Sequence, residues 1–244
     1  MVDDTKPAGT AGAAPAKRSR PVIAIDGPAG AGKSTLAAHL ARRFGFLNLE
    51  TGAMYRALAL KAIENDYSFD EEDALLSLAE ATRINLQPQV EGNRVLLDGT
   101  DVSRRIREAD VTSAASRISV HPRLRAWMVG QQRALGAQGG VVMEGRDIGT
   151  AVFPDAEVKI FLDAAPEVRG NRRFRQRGPE GKVTEESVLK ELRERDARDR
   201  NRAESPLRPA ADAFILDSTA MTLDEVLAAA ESIVRSHVEA AKLH

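Results

Sequence analysis

Residues 27–34 run Gly27-Pro28-Ala29-Gly30-Ala31-Gly32-Lys33-Ser34, filling every fixed position of the pattern G-x-x-x-x-G-K-[ST]. Glycines let such a segment curl until successive backbone N–H groups face inward, a geometry suited to phosphate oxygens. The lysine can reach the outer phosphates of a nucleotide, and the serine hydroxyl can sit on Mg²⁺. Context decides between a site and a glycine-rich turn that binds nothing. Pro21-Val22-Ile23-Ala24-Ile25 is a short β-branched run before the loop, and Leu36, Leu40 and Phe44 follow at four-residue steps on one helical face. Strand, loop, helix is the order the motif requires, and the helix N-terminus adds positive potential at the phosphates. Gly27, Pro28, Ala29, Gly30, Ala31, Gly32, Lys33, Ser34 and the adjoining Thr35 are therefore the expected ATP-binding segment.

The alternation continues. Apolar strand candidates lie at Val22–Asp26, Phe46–Leu49, Gly140–Glu144, Val158–Leu162 and Ala213–Asp217, with helical patterns between most of them. Parallel strands need long connections, so the expectation is an α/β fold with a parallel sheet covered by helices on both faces. The last helix, Leu223 to Ala241, opens from a Thr222/Glu225 capping box. At 244 residues the chain can bury a full core, as one domain with insertions or as two small ones. It lacks cysteine, which fits an unstapled protein and says nothing against a reducing compartment, and no apolar run approaches transmembrane length. Residues 1–20 are Ala/Gly/Pro/Thr/Lys-rich, without the apolar stretch of a secretory signal, and Asp3 and Asp4 argue against a transit peptide. They are expected to form a disordered tail on a cytoplasmic protein with no membrane partner.

The formal net charge of −1 argues against bulk polyanion binding, and one Trp and two Tyr leave few stacking platforms, so a nucleic acid polymer is not an expected partner. No Asn is followed by Lys, which removes the guanine-switch string Asn-Lys-x-Asp. Yet 27 of the 35 basic residues are arginine, whose planar fork suits phosphate. Two stretches break the strand–helix alternation. Residues 58–138 form a long excursion with helical patterns and two strand candidates, Ile84–Leu86 and Arg94–Leu97, joined by a polar Glu91-Gly92-Asn93 turn. Residues 169–204 form the other. Across 169–208 there are eleven Arg, two Lys and eight acidic residues, a net of +5 on a chain that is otherwise −6. Such a basic flap suggests something that closes on phosphates; the alternative is a solvated helix laced with i,i+4 ion pairs.

Ligands of open α/β sheets bind at the carboxyl ends of the strands. Leu49-Glu50-Thr51-Gly52-Ala53-Met54-Tyr55-Arg56 follows the second core strand, and Glu144-Gly145-Arg146-Asp147-Ile148-Gly149-Thr150 follows the third. Glu144 ends an apolar strand, where a carboxylate would hold Mg²⁺ through water, with Ser34 on the same ion. A helix over 185–202 would place Arg195, Asp199 and Arg202 on one face, with Leu189 and Leu192 packing it from below. That stripe is either a clamp on a sugar hydroxyl and a phosphate or an ion-pair ladder of little worth.

The strings IDGPAGAGKSTLA, LETGAMYRALA, EGRDIGTAVFPDAEVKIFLDA and RDARDRNRAESPLRPAADAFILDST together resemble the bacterial cytidylate kinases, a family of P-loop nucleoside monophosphate kinases, over about residues 21–238. The phosphate loop is shared by many nucleotide-binding proteins, whereas the GRD and RDxRDxNR strings are far more specific. The resemblance implies transfer of the ATP γ-phosphoryl group to CMP or dCMP, with Mg²⁺ as cofactor, by a monomer. It implies a three-layer α/β/α P-loop kinase core with a five-stranded parallel sheet (21–57, 139–168 and 205–244), an NMP-binding insertion (58–138) and a helical lid (169–204). By matched position, Thr51, Arg56, Arg146 and Arg202 would hold the acceptor monophosphate, and Arg195 and Asp199 would read the sugar. Ser116, Arg125 and Asp147 would read the base, and Arg172 or Arg173 would reach the ATP side. Lys33, Arg146, Asp147 and Arg202 would carry the catalysis. Cytosine offers an amino donor beside two acceptors, N3 and O2, so Asp147 can accept while Arg125 and Ser116 donate. Uracil would turn a carbonyl toward Asp147, for an expected CMP preference of ~10–100-fold. Two departures from the family pattern stand out: Glu50 and Glu144 occupy places where the family usually has Asp, each keeping the charge on an arm one methylene longer.

Overall fold

The computed structural model of the chain describes residues 18–89, 92–177 and 184–241. Strand β1 (Val22–Asp26) is buried throughout. Its residues alternate between two cores. Val22 and Ala24 join Leu49, Met54, Leu58, Val141 and Met143 on one face, while Ile23 and Ile25 join Leu36, Leu40, Val142, Ile160, Leu162 and Val234 on the other. A strand apolar on both faces is what the centre of a parallel sheet demands.

Helix α1 (Lys33–Phe44) leads to β2 (Leu47–Glu50), and α2 (Thr51–Glu64) leaves its carboxyl end directly. Then come α3 (Glu72–Glu80), a small antiparallel sheet of β3 (Ile84–Gln89), β4 (Gly92–Leu97) and β5 (Thr100–Asp101), a 3-10 turn at Arg105–Arg107, α4 (Ala109–Ile118) and α5 (Pro122–Gly136). The chain returns to the main sheet as β6 (Val141–Glu144), makes a π turn at Ile148–Val152, and continues through β7 (Val158–Asp163), α6 (Pro166–Arg177), α7 (Glu185–Arg200), β8 (Phe214–Asp217) and α8 (Leu223–Ala241). The five main strands lie parallel in the order β2-β6-β1-β7-β8. Helices α2, α4 and α5 cover one face, and α1 and α8 the other. This is the three-layer α/β/α arrangement of a P-loop kinase, and all five strand candidates are present within a residue or two.

Several details differ from the sequence expectation. The insertion contains a third strand, β5, and of the expected Glu91-Gly92-Asn93 turn, Gly92 and Asn93 belong to β4 while Glu91 lies outside the described residues. Asn93 has a tertiary task that local turn propensity does not reveal. Its Oδ1 accepts from Glu50 N at 2.8 Å and its Nδ2 donates to Asn48 O at 2.7 Å, so one buried side chain hydrogen-bonds along the outer rim of β2. The expected boundaries at 57/58 and 168/169 fall inside the continuous helices α2 and α6, because each helix starts at the sheet edge and runs outward without a break.

The expected disordered tail of residues 1–20 does not hold at Arg18 and Arg20, which are tied to the core. Arg18 donates to Asp155 O at 2.6 Å and pairs with Glu157, and Arg20 donates to Gly45 O at 2.7 Å and stacks its guanidinium over Phe46. Composition alone hid these anchors; the rest of the tail lies outside the described residues. The capping box at Thr222 is present, with Glu225 accepting from Thr222 N at 2.8 Å. Among the described residues, no helix is long and apolar enough to cross a membrane.

Candidate active site

The phosphate loop joins β1 to α1, and its backbone demands glycine at defined positions. At Gly27 (φ +148°) a Cβ would lie 2.0 Å from the carbonyl oxygen of Leu162 on the neighbouring strand, so only glycine fits. Gly32 adopts φ +102° at the N-cap of α1. Lys33 is buried, and its ammonium donates to Pro28 O at 2.8 Å, folding the side chain back over the loop. Burial and the nearby Arg146 bring its pKa down to about 7, against the opposing pull of Glu144.

At the carboxyl edge of the sheet, Glu50 and Glu144 stand opposite each other in the β2–β6 register. Their partners differ. Burial would raise the pKa of Glu50, but its contacts with Arg56 and Arg107 hold it below the ordinary value. Glu144 forms no ion pair with an arginine among the described residues, though Arg146 lies near enough to act on its charge. Burial and the Glu50 charge raise its pKa, Ser34 hydrogen-bonds to it, and Oε1 has no hydrogen-bond partner among the described residues.

Strand β1 ends in Asp26, whose carboxylate accepts from Ile148 N at 2.8 Å and Gly149 N at 2.7 Å. It thereby pins the turn that follows β6 and aims Arg146 and Asp147 at the cleft. Burial pushes Asp26 up to about 6. Arg146 donates through Nε to Asp199 at 3.0 Å. Asp199 stays ionised despite burial because Arg146, Arg195 and Arg202 surround it. Arg195 is the opposite case: burial, with Arg146, Arg56 and Arg173 close by, lowers it to about 10. Its Nε, like those of Arg56 and Arg202, is buried without a hydrogen-bond partner among the described residues. Converging guanidiniums that depress one another are a site waiting for an anion.

Across the cleft, Arg125 pairs with Asp147 through Nη2 and donates through Nη1 to Ser119 O at 3.0 Å. Tyr55 lies beside them, pushed up to about 12 by burial, with its ring 5.8 Å from the Arg125 guanidinium. Ser116 Oγ accepts from Arg198 Nε at 3.1 Å, which leaves its own hydrogen free to donate. Tyr55, Ser116, Arg125 and Asp147 line one cleft of about 280 Å³ together with Ala29, Gly30, Lys33 and Ser34 of the phosphate loop.

A sequence description of the family Cytidylate kinase matches residues 23–236 of the chain. The chain belongs to the cytidylate kinase family. The cytidylate kinase of Aeromonas salmonicida is 51% identical over 209 residues, covering 85% of this chain and 91% of the relative. Those of Vibrio cholerae (48% over 219 residues, 88% and 96%) and Pelotomaculum thermopropionicum (50% over 211 residues, 86% and 93%) are similar throughout. Among solved structures, the shikimate kinase of Acinetobacter baumannii aligns over 93% of this chain and 97% of its own at 15% identity and a TM-score of 0.44.

In this cytidylate kinase family member the cleft gathers Lys33, Ser34, Thr51, Arg56, Ser116, Arg125, Glu144, Arg146, Asp147, Arg195, Asp199 and Arg202, all singled out from the sequence. Three placements differ. Helix α7 ends at Arg200, so Arg202 reaches Asp199 (3.7 Å) from the loop beyond the helix and not along its face. Thr51 commits its hydroxyl to Glu144 O at 2.8 Å, so what it offers the cleft is the N-terminal backbone of α2. Of the pair Arg172/Arg173, Arg173 lines the cleft, while Arg172 braces the loop from behind through Ala31 O (3.4 Å) and Ser218 O (2.9 Å). Sequence reasoning passed over Asp26, Tyr55, Arg107 and Arg198. A buried acid at the end of β1 was the one available signal for Asp26, and nothing in spacing marks the other three.

Proposed function

We propose that the cleft transfers the γ-phosphoryl group of ATP to CMP or dCMP, giving ADP and CDP or dCDP, the reaction of the cytidylate kinase family. The observation that carries the assignment at residue level is the union, in one cleft, of a complete phosphate loop, a cluster of buried arginines and a donor–acceptor set matched to cytosine. Lys33 and the backbone of the loop take the ATP phosphates. Arg56, Arg146 and Arg202 take the acceptor phosphate, Arg195 and Asp199 the sugar, and Ser116, Arg125 and Asp147 the base. Arg173 belongs to the ATP side. Residues 58–138 serve as the acceptor-binding insertion and 169–204 as the lid.

Family membership implies ATP used with a divalent metal, and Mg²⁺ fits the residues present. Among the described residues no cage of three or more His, Cys or acidic side chains exists, which suits an ion held between protein and phosphates. Ser34 and the unpartnered oxygen of Glu144 are the groups that would hold it. When bound, Mg²⁺ would neutralise charge on the ATP phosphates. The protein's own task is positioning and charge neutralisation: the attacking phosphate oxygen and the γ-phosphorus are brought into line while the arginines and Lys33 stabilise charge on the transferring group. Closure of the lid keeps water from competing as acceptor. The cleft is complete within one chain, which supports a monomer, and a cytoplasmic location belongs to the same proposal.

A panel of nucleoside monophosphates, assayed with ATP and Mg²⁺ for ADP release, tests the assignment. CMP and dCMP are expected to turn over, with UMP ~10–100-fold poorer in kcat/KM. Asp147→Asn should narrow that gap by weakening CMP more than UMP, and an unchanged ratio would take Asp147 out of base recognition.

The position of Lys33 also predicts a proton linkage. In the free protein its pKa is about 7, and a triphosphate beside it favours the ammonium. ATP affinity from this group is full below pH 7 and weakens above it, with proton uptake on binding. Calorimetry of metal-free ATP at pH 8, in two buffers of different ionisation heat, should reveal that uptake. Lys33→Met should abolish it.

A further inference from the structure

Helix α7 sits directly on the phosphate loop. Ala29, in the loop, shares a small apolar cluster with Val188 and Leu192 of α7 and Phe174 of α6. Beside it lies Arg169 of α6, only 2% exposed. Its guanidinium makes three contacts in three directions. Nε donates to Ala164 O at 2.8 Å, Nη1 donates to Ala29 O at 3.0 Å, and Nη2 pairs with Asp196 Oδ2 of α7 at 2.7 Å. The loop also meets Arg169 through its backbone, since a Cβ on Gly30 would lie 3.2 Å from the Arg169 carbonyl oxygen. Asp196 follows Arg195 by one residue and precedes Asp199 by three. Arg195 and Asp199 line the cleft; Arg169 and Asp196 do not.

A buried ion pair contributes little net stability compared with an apolar replacement, but it fixes register strongly, because either charge alone in that place is costly. This one joins the donor-phosphate loop to the helix carrying the acceptor-facing side chains. We propose that Arg169 and Asp196 are positioning residues that couple the two halves of the cleft, so that filling the phosphate loop sets α7 for the acceptor nucleotide. The inference rests on the two-substrate reading given above. Coupling between sites is reciprocal: whatever factor ATP adds to CMP affinity, CMP adds to ATP affinity.

The test is calorimetric titration of CMP into the full chain with Mg²⁺, with and without the imido analogue of ATP, for the native protein, Asp196→Asn and Arg169→Lys. The second variant keeps the buried positive charge and gives up the fork that reaches Ala29 O and Asp196 together, so it answers the question if the first does not fold. In the native chain the analogue should tighten CMP on the order of tenfold. In both variants that factor should fall below about threefold, with CMP affinity in the absence of the analogue changed by less than about twofold. A purely structural role would lower the melting temperature and leave the factor intact, and that result overturns the proposal. So does a native factor of one. If neither nucleotide binds the native chain, the phosphotransfer reading itself falls, and the coupling with it.

Discussion

Lys33→Met is expected to lower kcat by about 10²–10³-fold, the usual worth of one preorganised charge at a transferring group, without lowering the melting temperature. The two outcomes share a cause. Lys33 is buried among Arg146 and Arg195 and keeps its charge at a cost, so its pKa falls to about 7. Methionine has a similar length, stays neutral and removes that cost. The sign follows from linkage. A lysine whose folded pKa lies below its unfolded value binds more protons in the unfolded chain, so its contribution to stability rises with pH between about 7 and the ordinary lysine value of 10.5. That portion of the pH dependence should vanish in the variant. A coupled ADP assay and thermal melts at pH 7 and 9 would decide it. Retained turnover would remove the lysine from the reaction.

Arg202→Ala should be nearly as severe in turnover, on the order of 10²-fold or more, together with a raised KM for CMP. Arg202 is buried, its Nε has no hydrogen-bond partner among the described residues, and it stands 3.7 Å from Asp199 at the acceptor end of the cleft. Its contact with Ser205 O (2.9 Å) is local, and the backbone bond from Leu207 N to Asp199 O (2.8 Å) holds the loop independently. The fold should therefore survive. Lysine should rescue only part of the loss, because an ammonium cannot reproduce a planar fork on phosphate. Near-native kcat in the alanine variant would exclude Arg202 from the acceptor site.

The sheet was readable because β1, β6 and β7 are apolar runs flanked by turn residues, and buried parallel strands must look like that. The phosphate loop was readable because its glycines answer a backbone demand, which at Gly27 is a 2.0 Å approach to Leu162 O. Arg195 and Asp199 were readable from helical spacing. Arg202 was assigned to the same helix because its spacing of seven from Arg195 continues the pattern, but the helix stops at Arg200 and tertiary structure delivers Arg202 by another route. Arg107 escaped because it reaches the cleft from a turn distant in sequence, and Arg198 because it lies off the Arg195/Asp199 face of α7 and acts through Ser116. Arg169 escaped for a different reason: a buried arginine reads in sequence like any lid arginine, and only its three contacts distinguish it.

An outermost strand leaves peptide groups on its free side that another molecule's strand could pair with. On β2 the amide of Asn93 answers two of them, accepting from one peptide and donating to another, much as a neighbouring backbone would. That side chain thus occupies two of the peptide groups on a margin that β3 and β4 also pack against. Exchanging it for aspartate would remove the donor, and the first symptom should be self-association under concentration, ahead of any loss of activity.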